Sequence, residues 1–213
     1  MSSGQGWEKF KRFWKKFWFI VWKDNSFKGL LISLIFLFLI IRFVFFPVLE
    51  LSTGTKLPLV IVESCSMYHQ GNFLSDFDKW WTKHENKYEQ FSITKSIFEK
   101  STLKKGFNKG DILFVAGTNP EKLKIGDIII FNANYQNPII HRIVKITKNP
   151  DNTYTFSTIG DNNYGQLSIE QSIPQDEIVG KSVFRVVPYL GWIKLVFFEP
   201  SKPASERGFC HEN

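Results

Sequence analysis

The sequence predicts a mainly β protein: an antiparallel β-sheet or barrel with an α-helical insertion, preceded by an N-terminal transmembrane helix. Three observations predict it. Past Lys109, short apolar runs recur between Gly, Asn, Asp and Pro without intervening helical patterns. Between Gly71 and Gly106 the apolar spacing becomes helical, with Phe, Trp and Tyr set among Asp, Glu and Lys. Leu30 to Phe46 is a nearly unbroken run of Leu, Ile, Phe and Val that, with its flanks, reaches the roughly 20 residues a bilayer requires.

The chain of 213 residues fits one main domain plus extras, and its 43% hydrophobic and 16% aromatic content is ample for a core. A net charge of +7 suits nucleic acid or an anionic lipid surface, and its placement separates them. Lys9, Lys11, Arg12, Lys15, Lys16, Lys23 and Lys28 crowd the start, interleaved with Trp7, Phe10, Phe13, Trp14, Phe17, Trp18 and Trp22. No folded domain backs this segment, so residues 1–27 read as an interfacial helix on membrane lipid rather than a nucleic-acid arm.

Residues 28–49 form the transmembrane helix, with Arg42 snorkelling toward the nearer interface. No small-residue cleavage site follows, so the segment reads as an anchor rather than a removed leader. The positive flank is N-terminal, which puts residues 1–27 in the cytoplasm and residues 50–199 outside the cell membrane in a single pass. Pro47 to Pro58 reads as a linker. Val60 to Val62 reads as a strand that ends in Ser64-Cys65-Ser66-Met67. The insertion spans about 71–106. Further strands are expected at Ile112–Ala116, Ile128–Phe131, Ile139–Thr147, Tyr154–Ile159, Ile178–Val187 and Trp192–Phe198, and a loose polar tail at 200–213.

Three features of this layout carry chemistry. A strand breaking into small residues at Ser64 and Ser66 can expose a nucleophile, which needs a base within hydrogen-bond reach. His141 lies on a strand, sharing a face with Ile143 and Lys145. Neutral imidazole accepts a proton near pH 7, and an acid on its other nitrogen fixes the tautomer. Candidate acids are Asp161, which directly follows a strand, and Glu170 and Asp111. Glu170 requires its loop to fold back, whereas Asp111 suits local backbone N–H groups. His69, His84, His141 and His211 lack metal-ligand spacing, so no metal or cofactor is expected. Cys65 and Cys210 leave one bridge possible and the redox compartment open.

The ordered set Ser-x-Ser-Met, Lys-Gly-Asp-Ile-Leu-Phe, Gly-Asp-Ile-Ile-Ile-Phe, Ile-Ile-His-Arg-Ile and Ile-Gly-Asp-Asn-Asn resembles type I signal peptidases. The similarity is to the archaeal and endoplasmic-reticulum branch, with His where the bacterial branch has Lys. It covers Leu59 to Met67 and Phe107 to about Trp192. The resemblance implies a membrane-anchored serine endopeptidase that cleaves signal peptides from exported preproteins, with protein translocation machinery as a partner. It implies Ser66 as nucleophile, His141 as general base, Asp161 as acid, and Ser64 with the Ser66 N–H as the oxyanion hole. The sequence departs from the family pattern in Cys65 between the serines, in Tyr68-His69 after Met67, and in an insertion of about 35 residues. It also has no acid shortly after Gly-Asp-Asn-Asn until Glu170. Two other readings are a catalytically silent anchored β domain that binds exported chains or a translocation partner, and a thiol peptidase using Cys65.

Overall fold

The computed structural model describes residues 3–71, 76–133 and 137–211. The backbone forms two compact units, residues 1–52 and 53–213.

In the first unit, α1 (Ser3–Lys23) and α2 (Phe27–Ile40) form a helical hairpin. Ser26 caps α2 by accepting from the Gly29 N–H at 3.1 Å. Ser33 Oγ donates to the Val21 carbonyl across the hairpin, and Phe17 packs edge-on against Phe36. The second helix does not stop at Pro47. It runs from Phe27 to Thr53 through a π-helical turn at Ile41–Phe45 and on as α3 (Phe46–Thr53). Proline lacks the N–H of the regular ladder, and the π turn immediately before it absorbs the break. The linker expected from Pro47 therefore begins only at Gly54. This helix of 27 residues, with a peak mean hydropathy of 2.8, is long and apolar enough to cross a membrane.

The second unit is built on a seven-stranded antiparallel sheet in the order β1-β2-β7-β3-β4-β5-β6. Its strands are β1 (Leu59–Ile61), β2 (Ile112–Ala116), β3 (Ile128–Phe131), β4 (Ile139–Lys148), β5 (Tyr154–Ile159), β6 (Ile173–Pro174) and β7 (Ile178–Val187). β3 is buried on both faces, which its unbroken Ile-Ile-Ile-Phe run requires. The insertion supplies α4 (Phe77–Glu89), N-capped by Asp76, and α5 (Lys95–Glu99). Trp80, Trp81, Tyr88, Ile93 and Phe98 form a buried cluster with Val144 of β4 and Ile159 of β5. The aromatic face of the insertion is thus core.

Two expectations near the C-terminus need correction. Trp192–Phe198 is not a strand but a short helix, α6 (Trp192–Leu195), followed by turns. Gly191 approaches the Gly110 carbonyl so closely that a Cβ would sit 2.7 Å from it, and the Gly191 N–H bonds that same carbonyl. The chain is held there in a turn. The tail is not loose either. Lys109, 1% exposed, pairs with Glu199 at 2.7 Å and donates to the Glu206 carbonyl, and Cys210 is disulfide-bonded to Cys65.

Candidate active site

The Ser-rich turn is held from below and from both sides. Val62 extends the β1 pairing through bonds with Gly110 and Asp111. The Tyr68 N–H then bonds the Cys65 carbonyl, closing a tight turn across Ser66 and Met67. Met67 is 1% exposed and packs with Val62, Phe107, Leu113 and Ile128. An anchored Met beside a half-buried Ser66 and an exposed Ser64 leaves the hydroxyls outward. Their Oγ atoms lie 3.1 Å apart.

His141 projects from β4 and is 4% exposed. Its Nδ1 hydrogen-bonds Glu170 Oε1, a carboxyl oxygen that also accepts from Thr158 Oγ1 at 3.1 Å. Glu170 Oε2 accepts the Leu167 N–H at 2.8 Å. The carboxylate is fully buried and held at both oxygens. A carboxylate on Nδ1 keeps the proton there and presents Nε2 as the acceptor. Among the described residues, Nε2 makes no hydrogen bond.

The structure does not bring the Asp161 carboxylate to His141. Arg142 Nε reaches Oδ1 at 2.9 Å and Nη2 reaches Oδ2 at 2.6 Å. Tyr88 donates to Oδ1 and His69 Nε2 bonds Oδ2, each at 2.9 Å. The reason is strand alternation: Arg142 follows His141 and points to the opposite face, where the insertion packs. Burial opposes ionisation of Asp161, yet the Arg142 charge and hydrogen bonds outweigh it and hold the carboxyl far below the usual range. Burial likewise lowers His69 despite Asp161 beside it. Asp111 is fully engaged elsewhere, accepting from the Asn108 and Tyr189 N–H groups and from Arg185.

The loop around Asp161 nonetheless meets the Ser turn: the Asp161 N–H donates to Met67 Sδ at 3.4 Å. The Asn162 N–H donates to the Ser66 carbonyl at 2.7 Å, and Asn162 Nδ2 donates to the Cys65 carbonyl at 3.1 Å. Gly160 lies against the imidazole, where an added Cβ would stand 2.9 Å from His141 Nε2. Residues 160–162 therefore touch the Ser64–Met67 turn at one end and the imidazole at the other. The loop is thus shared between Ser66 and His141.

Glu170 reaches the imidazole because the loop carrying it, past Gly165, folds back as the sequence required it to do. The fold-back comes from Gln166, whose Nε2 donates to Ser157 Oγ and the Thr158 carbonyl at 2.6 and 2.7 Å. The Cys65–Cys210 disulfide also removes the free thiol that a Cys65 nucleophile would need. Among the described residues, no cluster of His, Cys, Asp or Glu could hold a metal. The groups linked through this loop are a hydroxyl pair and a tautomer-fixed imidazole, residue types suited to acyl transfer.

No protein-family profile matches the chain. Its sequence is 33% identical over 102 residues to the signal peptidase complex catalytic subunit SEC11 of Zygosaccharomyces rouxii, covering 44% of this chain and 59% of that protein. It is 26% identical over 105 residues to the signal peptidase complex catalytic subunit SEC11C of Homo sapiens, covering 45% and 52%. The SEC11 subunit of Tuber melanosporum matches at 26% over 115 residues, covering 46% and 60%. The chain thus spans somewhat over half the length of the curated relatives it matches. With the ordered motifs and the antiparallel β domain, these similarities place the chain nearest in kind to signal peptidase catalytic subunits, to which just under half of it is similar.

Proposed function

We propose that this protein is a membrane-anchored serine endopeptidase that removes signal peptides from exported preproteins. The observation that carries the reading is the outward Ser64/Ser66 turn tied through residues 160–162 to an imidazole whose Nδ1 is held by a buried carboxylate. Ser66 attacks the scissile carbonyl while His141 Nε2 takes its proton and later returns it to the leaving amine. Glu170 keeps the imidazole in the accepting tautomer and stabilises the imidazolium. The Ser64 hydroxyl and the Ser66 N–H receive the oxyanion. Asp161 acts through the loop it anchors rather than on His141.

The helix Phe27–Thr53 crosses the membrane once, with the basic segment before it in the cytoplasm and the β domain after it outside. A disulfide one residue before Ser66 supports that orientation, because disulfides persist in oxidising compartments. Anchoring raises the local concentration of substrates that emerge from the same membrane. The partners are signal peptides, membrane lipid and the translocation machinery. The test compares full-length wild type with Ser66→Ala in membranes, on a preprotein with a signal peptide. Wild type should release the mature chain and Ser66→Ala should not, with equal insertion. Equal release from both, or a silent wild type, would leave the binding-domain reading in its place.

A further inference from the structure

The insertion makes one contact that core packing does not require. Lys87, near the end of α4, points its ammonium at three carbonyls of the 160–163 loop. It donates to Asp161 O, to Asn163 O at 3.0 Å and to Gly160 O at 3.5 Å. The next residue, Tyr88, donates to the Asp161 carboxylate. Consecutive residues of one helix thus hold both the backbone and the side chain of this loop. The charges facing Lys87 are the Asp161 carboxylate and the Arg142 guanidinium, and its ammonium also lies 5.3 Å from the centre of the Tyr88 ring.

Three carbonyls aimed at one point repel each other unless a donor with several N–H groups sits there, and an ammonium supplies three. The loop so held is the one whose Gly160 borders His141 Nε2 and whose Asn162 N–H grips the Ser66 carbonyl. We propose that Lys87 is a positioning residue for the Ser66/His141 pair, and that the insertion thereby acts as a brace for the reacting groups. This rests on the peptidase reading given above. Burial lowers Lys87 to about 8, so it remains charged at pH 7 and keeps all three donors.

The test uses the full chain in detergent micelles, with Lys87→Met and Lys87→Arg. Met preserves the stem and removes the donors, whereas Arg restores them. Two readouts are taken: preprotein cleavage kinetics, and hydrogen exchange at the Asn162 amide, which reports the bond to Ser66 directly. Lys87→Met should lower kcat about 10- to 100-fold with KM within about twofold, and speed Asn162 exchange at least about tenfold. Lys87→Arg should recover a measurable part of both, and the thermal midpoints should agree within a few degrees. Unchanged Asn162 exchange and kcat in Lys87→Met would overturn the proposal. So would a parallel loss in all amides with a large fall in midpoint, which marks general destabilisation. An inactive wild type with faster Asn162 exchange in Lys87→Met would sink the peptidase reading and keep the brace. An active wild type with unaltered exchange would do the reverse.

Discussion

Replacing Glu170 by Gln removes a charge with almost no change of shape, and its effect can be worked from the contacts. In wild type, Oε1 accepts from His141 Nδ1 and from Thr158, while Oε2 accepts the Leu167 N–H. An amide has one acceptor oxygen and one NH2. If the oxygen faces His141, the NH2 meets the Leu167 N–H, donor against donor. If the NH2 faces His141, Nδ1 must become the acceptor and Nε2 carries the proton, the wrong tautomer for a base. Either way the stabilisation of the imidazolium is lost. Losing an orienting carboxylate of this kind lowers kcat by roughly 10²- to 10⁴-fold, or about 3–5 kcal/mol of barrier. The assay is cleavage of a preprotein, with substrate affinity and thermal midpoint measured on the same samples. Asp161→Asn is the contrast. It strands the fully buried Arg142 with only carbonyl partners at Thr102, Leu103 and Gly126, and should destabilise the fold by about 3–5 kcal/mol. A folded Glu170→Gln enzyme within about threefold of wild-type kcat would refute the reasoning, most clearly if well-folded Asp161→Asn were inactive.

Two further outcomes follow from the charges and the bridge. His69 has a folded pKa below its ordinary 6.5, so it contributes stability that is fully present above that value and lost as pH falls toward its folded value. Asp161, depressed from 3.8, adds a second loss that begins only below about pH 4. Urea denaturation across pH should therefore show stability level near neutrality, then falling in two stages, and His69→Gln should flatten the first stage. Reducing the Cys65–Cys210 bridge, or replacing Cys210 with Ser, should destabilise the domain by about 3–5 kcal/mol, because it frees a loop with a sequence separation of 145. Chemical denaturation with and without dithiothreitol checks this, and identical midpoints would show that the bridge is not made.

Strand positions were legible in the sequence because apolar runs between turn residues have few other uses. The expected and observed limits of β2, β3 and β5 coincide. The Ser64–Met67 turn and His141 were legible as residue types at strand ends and interiors. The partner of His141 was not, since side-chain alternation alone does not say which of two loops folds beneath the imidazole. Gly-Asp-Asn-Asn suits a turn, and Asp161 directly after a strand looks available, yet Arg142 on the opposite face claims that acid. The clue was present in the sequence: a fully buried Arg needs a carboxylate, and Arg142 adjoins His141. Trp192–Phe198 misled because an apolar run of that length suits either a strand or a short helix, and the close approach of Gly191 to Gly110 decided it.

The disulfide also sets an order of events in the life of each molecule. Cys65 leaves the ribosome long before Cys210, with most of the sheet between them. Until Cys210 has found its partner, the turn that carries Ser66 lacks one of its attachments. The Asn162 side chain meanwhile lacks the His211 carbonyl to which it otherwise donates at 2.9 Å. A nascent copy of the domain is therefore incomplete around Ser66 until Cys210 and His211 have joined it.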